Sequence, residues 1–339
     1  MLSIEELRQN NIFDWSDLAK NYDKPNLLLG NGFSLQFSDK FSYISLFNKF
    51  IENCDPVHQT LFKQFKTENF EQILRHLTYA KKVNKILKLP TELIDSALDK
   101  LKHGLISTIQ SIHPRSSDID FDILKNVALQ LKGFGDIFTT NYDLYLYHII
   151  MLSKDISDLD KDYIAYQDYF WGSHCQSGYK QFVSEQSYEY KHLYYLHGSL
   201  CFFKNNLDNL KLIKQNNDTE LIDLLSLEIK NNNFPIFITE GSGLEKQVSI
   251  SENIYLSFCL NKLKHKNKPI LIFGNRLGEF DAHILEAIKA ISKDIIYCIY
   301  IGDQTIEDVN SEKYNFLSKF NNYNSSGIKF VDSSTVFKL

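Results

Sequence analysis

The hydrophobic residues of the chain form two kinds of pattern that alternate along its length. Short apolar runs of strand length occupy residues 25–30, 136–140, 192–200, 235–239, 269–274 and 295–302, and a shorter run occupies residues 327–332. Between them, apolar residues recur three and four positions apart, as in residues 70–77, which is the spacing of one helix face. Strands that alternate with helices predict right-handed β-α-β units and therefore a mostly parallel sheet.

Two segments interrupt this alternation. Residues 41–130 have a helical pattern, which predicts a helical module inserted after the first strand and its turn. Residues 204–233 are rich in Asn, Lys and Asp around a helical centre, which predicts a polar surface excursion. The chain is long enough for one large α/β domain with an insertion, or for two domains. We expect a single domain over residues 1–339, with a Rossmann-like, mostly parallel sheet that carries helices on both faces.

Composition and charge exclude several classes of protein. With 43% hydrophobic residues and a net charge of -5, the chain is neither disordered nor fibrous. Its five cysteines include no CxxC pair, so we expect no zinc ribbon and no disulfide framework, and the cytoplasm is the simplest location. No run approaches the ~18 apolar residues of a membrane helix, and the chain start lacks the pattern of a signal peptide. The acidic balance also argues against a nucleic-acid partner.

Polar turns follow the predicted strands, and nearly every one contains glycine. They are GNGFS (30–34), TTNYD (139–143), HGS (197–199), TEGSG (239–243), GNRLG (274–278) and GD (302–303). Eight of the 14 glycines lie in them, namely Gly30, Gly32, Gly198, Gly241, Gly243, Gly274, Gly278 and Gly302. Ligands of an open parallel sheet bind beyond the carboxyl ends of its strands, and glycine permits a close approach of the backbone to a dinucleotide. These turns are therefore the predicted ligand edge.

The turn GNGFS is a weak signal when it is taken alone. Two glycines in a strand-to-helix turn can bring backbone N–H groups to a pyrophosphate, but an ordinary tight turn has the same sequence pattern. The third glycine of GxGxxG is missing, and no acidic residue ends a second strand about 20 positions later. A hydride-transferring dehydrogenase is therefore disfavoured.

Three polar side chains beyond the second and third strands are candidates for chemistry. Asn141 and Asp143 are two positions apart, so both can face one ligand, or they can form an Asx turn and cap the helix that follows. His197 can be a hydrogen-bonded structural residue, or a neutral base that takes a proton from a sugar hydroxyl. None of the ten histidines has a Cys or carboxylate partner at metal-ligand spacing, so we expect no metal.

In this order, GNGFS, TTNYD and LHGS resemble the motifs of the Sir2 superfamily, and most closely those of bacterial SIR2-like proteins, which have TTNYD and no zinc ribbon. Together with FSY, NFEQIL, PIFITEG and FGNRLGEFDAHI, they resemble the DUF4917 group over about residues 25–303. The resemblance implies a Rossmann-like domain that binds NAD+ as its substrate, cleaves the nicotinamide–ribose bond and needs no metal.

The resemblance also implies roles for single residues. Cofactor-binding positions are Gly30, Asn31, Gly32, Phe33 and Ser34 in the first turn, Thr140 and Asp143 in the second, and Gly274 and Asn275 in the turn of the fifth strand. Gly30, Gly32 and Ser34 would hold the diphosphate, and Phe33 would lie near the nicotinamide. Asp143 would contact the carboxamide, and Gly274 and Asn275 the adenosine half. The implied catalytic residues are Asn141, which orients water and ribose, and His197, which takes a proton from the ribose.

Three departures from sirtuins limit the resemblance. SLQFSDKFSY replaces the GIPDFR context, Thr140 replaces the Gln of TQN, and the four zinc-binding cysteines are absent, which disfavours a deacylase with a ribbon domain. Asp281 and His283 in EFDAHI could face the adenosine, but the expected roles are a helix N-cap and a first-turn histidine.

The predicted function is an NAD+ glycohydrolase that yields nicotinamide and ADP-ribose and acts in bacterial anti-phage defence by depleting NAD+. Because cellular NAD+ is always present, such an enzyme has to stay silent until a companion protein, oligomerisation or a small nucleotide activates it. The alternative is a catalytically inactive NAD+ or ADP-ribose sensor or regulatory subunit with the same fold, in which His197 is structural.

Overall fold

A computed structural model gives the fold, and it describes residues 2–38, 46–68, 70–113, 115, 118–160, 162–175, 177–185, 190–205, 208–214, 219–238, 243–290, 294–320 and 327–338. The strands are β1 (Ile12–Phe13), β2 (Asn26–Leu29), β3 (Ile137–Thr139), β4 (Tyr166–Gln167), β5 (Phe170–Ser173), β6 (Tyr179–Phe182), β7 (Lys191–Tyr195), β8 (Phe202–Asn205), β9 (Asp208–Leu212), β10 (Ile270–Phe273), β11 (Ile295–Ile299) and β12 (Ile328–Asp332).

The helices are α1 (Ile4–Gln9), α2 (Trp15–Ala19), α3 (Asn31–Ser34), α4 (Leu46–Asn53), α5 (Pro56–Phe65), α6 (Phe70–Ile86), α7 (Glu92–Ile112), α8 (Phe121–Gln130), α9 (Tyr145–Leu159), α10 (Leu221–Lys230), α11 (Gly243–Ser251), α12 (Ile254–Lys264), α13 (Ala282–Lys289) and α14 (Ile306–Ser318). Among the described residues, no helix has both the length and the apolarity that a membrane span requires.

Eight strands form one parallel sheet in the order β1-β12-β11-β10-β2-β3-β7-β4. Leu27, Leu28 and Leu29 of the central strand β2 are fully buried. Because successive side chains of a strand point to opposite faces, this burial shows that both faces of the sheet are covered. The prediction of a Rossmann-like α/β fold with a mostly parallel sheet is confirmed.

The strand order reverses between β2 and β10. These strands are neighbours in the sheet, with Ile270 in register with Asn26. From β2 the chain continues to β3 on one side of this pair, whereas from β10 it continues to β11 on the opposite side. A crevice opens at such a switch point, and open α/β sheets bind their ligands there. The turns after β2 and β10 border this crevice.

Between β2 and β3 the chain forms the helices α4 to α8. Phe50, Phe62 and Phe70 pack edge-to-face there, with ring centroids 5.0–5.9 Å apart. These rings join α4, α5 and α6 through apolar contacts. The predicted start of the helical module at Phe41 lies outside the described residues.

The segment 204–233 differs from the predicted surface excursion. It contains the second half of β8, all of β9 and helix α10, and β5-β6-β9-β8 form a second, antiparallel sheet. Leu210 and Leu212 on β9, and Leu225 and Ile229 on α10, are buried. The prediction missed this sheet because polar residues dominate the composition, and because two of them, Asn209 and Lys211, are buried on β9 beside the apolar residues. Residues 206–207 and 215–218 lie outside the described part of the chain.

The predicted strand 235–239 is also corrected. Its described residues add no strand to either sheet, and Phe237 forms an isolated antiparallel bridge with Gly198. The segment packs against the turn that follows β7, so its apolar character reflects burial of a loop. Of the predicted turn 239–243, residues 239–242 lie outside the described residues. Its last residue, Gly243, begins α11.

Candidate functional site

The turns after β2 and β10 pack against each other backbone to backbone. The Gly30 N–H donates to the Phe273 carbonyl at 2.9 Å, and the Gly32 N–H donates to the Gly274 carbonyl at 3.0 Å. A Cβ on Gly32 would lie 2.7 Å from the Gly274 Cα, and a Cβ on Gly30 would lie 2.5 Å from the Asn275 Cβ. Glycine is therefore required here for the close approach of the two turns.

This packing changes the predicted role of the first turn. The N–H groups of Gly30 and Gly32 already have acceptors, and the Phe33 N–H donates to the Gly30 carbonyl at 2.9 Å. In this conformation these three groups do not point to a diphosphate. The Phe33 side chain is buried in the core, where it packs edge-on against Phe273 and Phe337. Its predicted position near the nicotinamide is therefore not seen in this structure.

Asn141 begins a buried hydrogen-bond network that joins β2 to β3. Its side-chain nitrogen donates to the Gly30 carbonyl at 2.9 Å and to the Ser34 hydroxyl at 3.0 Å. The Ser34 hydroxyl in turn donates to an Asp143 carboxylate oxygen at 2.5 Å. The carbonyl acceptor fixes which end of the amide is the NH2, because only a donor can face it. Oδ1 of Asn141 is then the atom left to contact a water or a ligand.

Asp143 forms the Asx turn that the sequence left open, and Leu144 is the N-cap of α9. The Asp143 Oδ1 accepts the N–H of Tyr145, the first residue of α9, at 2.9 Å, while Oδ2 accepts from Ser34. Burial raises the pKa of the Asp143 carboxyl, and these two hydrogen bonds act in the opposite direction. Both oxygens are thus engaged within the protein, and the implied contact with a carboxamide would require one of them to exchange its partner.

Asn275 connects the turn after β10 to the turn after β3. Its Nδ2 donates to the Thr140 hydroxyl at 3.1 Å, and its Oδ1 accepts the Leu277 N–H at 2.7 Å. Since Gly274 contacts Gly32, the three turns that carry the predicted cofactor-binding residues lie together at one edge of the sheet. The fold therefore brings together residues that the sequence separates by more than 200 positions.

His197 and Asn141 occupy equivalent places on adjacent strands. In the register of β3 and β7, Thr139 is opposite Tyr195, and the Leu196 N–H donates to the Thr139 carbonyl at 2.8 Å. Asn141 and His197 each come two residues after that pair. Both side chains are buried, with 6% and 4% of their surface exposed. Parallel strands thus place the two predicted catalytic residues at corresponding positions beyond adjacent strands, where each side chain has its own partners.

The turn that holds His197 depends on Gly198. Gly198 has φ = +77°, and a Cβ there would lie 2.1 Å from the Ile236 carbonyl oxygen. The segment after Ile236 also holds the turn, because the Ile238 N–H donates to the His197 carbonyl at 2.8 Å. The close approach of this loop accounts for the glycine after the histidine.

We expect Gly198→Ala to lower the free energy of unfolding by about 1–3 kcal/mol, since it adds a left-handed non-glycine residue and a backbone clash. Urea unfolding followed by circular dichroism measures the change. Gly133→Ala is the matched control, because a Cβ at Gly133 would meet no atom within 4 Å. Equal stability of the two variants would contradict the close packing of this turn.

His197 contacts His283, and the sequence did not predict this contact. The Nε2 atoms of His197 and His283 are 2.9 Å apart, and the Asp281 Oδ1 lies 3.9 Å from the His197 Nε2. The Lys246 Nζ is 3.3 Å from that same carboxylate oxygen. Asp281 does occupy the N-cap position of α13, and His283 its first turn, as expected, but Asp281 makes no side-chain capping bond.

Burial sets the protonation states of this group. It lowers the pKa of His197 to about 3 and that of His283 to about 4, so both rings are neutral at pH 7. Burial also acts to raise the pKa of Asp281, but nearby positive charge, including Lys246, outweighs it and holds this pKa below its ordinary value. The site therefore combines two neutral imidazoles with one carboxylate.

His197, Asp281 and His283 also correct the expectation that no histidine has partners suited to a metal. One ligand atom from each lies within 4.8 Å of the others, a spacing that can hold a metal ion. The sequence could not show this cluster, because 84 positions separate His197 from Asp281. The ammonium of Lys246 beside the carboxylate disfavours a divalent cation, because like charges repel at short distance.

The family model described as "Domain of unknown function (DUF4917)" matches residues 27–334. The chain belongs to the DUF4917 family. A search of curated proteins finds no significant match.

The DUF4917 region includes every site residue described above. It begins within β2 and ends just after β12, so α1, β1 and α2 precede it.

A cavity of about 440 Å³ lies within this region beside the turn after β10, and it is lined by Arg276 and by residues of α14. Gln304, which follows β11, also lines it, and its buried Oε1 has no hydrogen-bond partner among the described residues. The cavity has room for a polar ligand, but its lining includes none of the predicted catalytic or cofactor-binding residues.

Proposed function

We propose that this DUF4917 protein is a SIR2-like NAD+ glycohydrolase that releases nicotinamide and ADP-ribose. The observation that carries the proposal is the placement of the buried Asn141 and His197 at corresponding positions beyond the adjacent strands β3 and β7, at the carboxyl edge of the sheet. The resemblance of the ordered motifs to those of Sir2 proteins supports the same reaction.

The chemistry needs few groups. As the bond between the ribose C1′ and the nicotinamide nitrogen breaks, its electron pair goes to the nicotinamide ring, and positive charge develops on the ribose. Asn141 Oδ1 orients the attacking water, and the neutral His197 takes a proton from the ribose. Water supplies the oxygen of the new C1′–O bond and gives one of its protons back to the deprotonated ribose oxygen, so the step needs no further reactant and its net proton stays on His197. The turn after β10, with Gly274 and Asn275, is where the resemblance places the adenosine half.

The first turn explains why such an enzyme can be silent. In this conformation the N–H groups of Gly30 and Gly32 bind the turn after β10 and offer nothing to a diphosphate. NAD+ binding would then require the two turns to separate. We propose that a companion protein or a second copy of the chain triggers this change during anti-phage defence in the cytoplasm, where NAD+ is consumed. The defence role itself rests on the resemblance.

The decisive experiment incubates the purified protein with NAD+, alone and together with proteins from neighbouring genes. Chromatography then measures nicotinamide and ADP-ribose, and we expect equal amounts of the two products under the activating condition. Calorimetry with NAD+ runs in parallel. Tight NAD+ binding without product under every condition would contradict the glycohydrolase and favour the alternative, an inactive NAD+ or ADP-ribose sensor in which His197 is structural.

A further inference from the structure

The contact between His197 and His283 requires one of the two Nε2 atoms to carry a proton and the other to accept it. A neutral imidazole carries one N–H and one acceptor nitrogen, so the 2.9 Å contact between the Nε2 atoms of His197 and His283 has a single donor. Nδ1 of His283 has no hydrogen-bond partner among the described residues, and this holds for either direction of the bond. The direction has to come from the surrounding charges.

Asp281 supplies that direction. Its Oδ1 lies 3.9 Å from the His197 Nε2, and the nearby Lys246 favours the ionised carboxylate. A negative charge at this distance attracts the proton to the nearer nitrogen of the ring, which is Nε2 of His197. Because all three side chains are largely buried, water screens this attraction weakly.

We propose that Asp281 and His283 are positioning residues that keep the proton of His197 on Nε2 and leave Nδ1 as its basic nitrogen. This inference rests on the proposed function, since it names the atom that takes the ribose proton. Nδ1 accepts that proton and the ring becomes an imidazolium, whose charge Asp281 stabilises while Nε2–H continues to donate to His283. Transfer of the Nδ1 proton to water then restores the neutral ring.

Nuclear magnetic resonance of the full chain labelled with 15N-histidine tests this assignment without any need for turnover. At pH 7 the His197 signals, assigned with a His197→Gln variant, are expected to show a protonated Nε2 and an unprotonated Nδ1. In Asp281→Asn and in His283→Phe, the two nitrogens should move toward a mixture of both tautomers. The exposed His103→Phe variant is the control and should leave the His197 signals unchanged.

Two results would overturn the proposal. One is an unprotonated Nε2 in the wild type, and the other is an unchanged His197 spectrum in both positioning variants. Titration with Zn²⁺ covers the competing role of the cluster: a stoichiometric shift of both the His197 and the His283 signals would show a metal site instead. If His283→Phe fails to fold, His283→Gln keeps an acceptor at this position and is expected to retain the wild-type tautomer.

Activity separates this inference from the function beneath it. Where the wild type releases nicotinamide, His283→Phe should lower kcat roughly 10- to 100-fold with little change in KM. This loss is smaller than the full rate contribution of a general base, because the base itself remains. A loss confined to KM would contradict positioning of the base. If the wild type shows no turnover, the proposed function fails, while the tautomer spectrum still decides whether Asp281 and His283 orient His197.

Discussion

Asn141→Ala and His197→Ala should each lower the rate of nicotinamide release by about 10²–10³-fold under the activating condition. Losing one group that stabilises the transition state or transfers a proton commonly has an effect of this size. Asn141→Ala removes Oδ1, which we expect to orient the water. It also removes the donor that holds Gly30 and Ser34 in place. His197→Ala removes the base, so the two variants affect different parts of one step.

The measurement compares kcat and KM of each variant with those of the wild type. Asn21→Ala, at an exposed position, is the control and should retain wild-type activity. Circular dichroism has to show that both variants are folded, because Asn141→Ala leaves buried polar groups without a partner at a cost of about 1–3 kcal/mol. Nicotinamide release that survives both substitutions would contradict the active-site assignment, since neither strand end would then take part in the reaction.

Lys211→Met should lower the free energy of unfolding by about 3–5 kcal/mol, because it leaves a buried carboxylate without its counter-ion. Lys211 on β9 forms an ion pair with Asp168, and the two side chains are only 11% and 7% exposed. Burial alone would lower the pKa of Lys211, but the charge of Asp168 outweighs it and raises this pKa above its ordinary value. The ammonium also lies 5.1 Å from the centre of the Tyr147 ring on α9.

A second substitution makes this result specific. Adding Asp168→Asn to Lys211→Met removes the unpaired charge and keeps an oxygen that can accept the Phe170 N–H, so most of the lost stability should return. The exposed pair Lys132–Asp160 is the control, and Lys132→Met should cost less than about 1 kcal/mol. Urea unfolding measures all variants. Equal effects of Lys211→Met and Lys132→Met would show that the small sheet does not bury this pair.

Local pattern was sufficient for six of the eight strands of the main sheet, but not for the two-residue edge strands β1 and β4. Residues such as Leu27, Leu28 and Leu29 are apolar at every position because both faces of the strand are covered, and this continuous run identifies a buried parallel strand in the sequence. The same pattern was misleading for residues 235–238, which are apolar because a loop is buried there. It also missed β9, whose buried Lys211 looks like a surface residue until its partner is known.

The sequence alone determined the α/β class, the positions of most main strands along the chain, and the turns that follow them, because each of these depends on residues close together in the chain. The tertiary structure decided which turns meet, and with that the roles of individual atoms. Gly30 and Gly32 pack against the turn after β10, so their N–H groups donate to backbone carbonyls of that turn. The Ser34 hydroxyl donates to the Asp143 carboxylate. The partners of His197 come from α11 and from residues 281–283. Proton positions depend on charges within a few ångströms, and only folding brings those charges together.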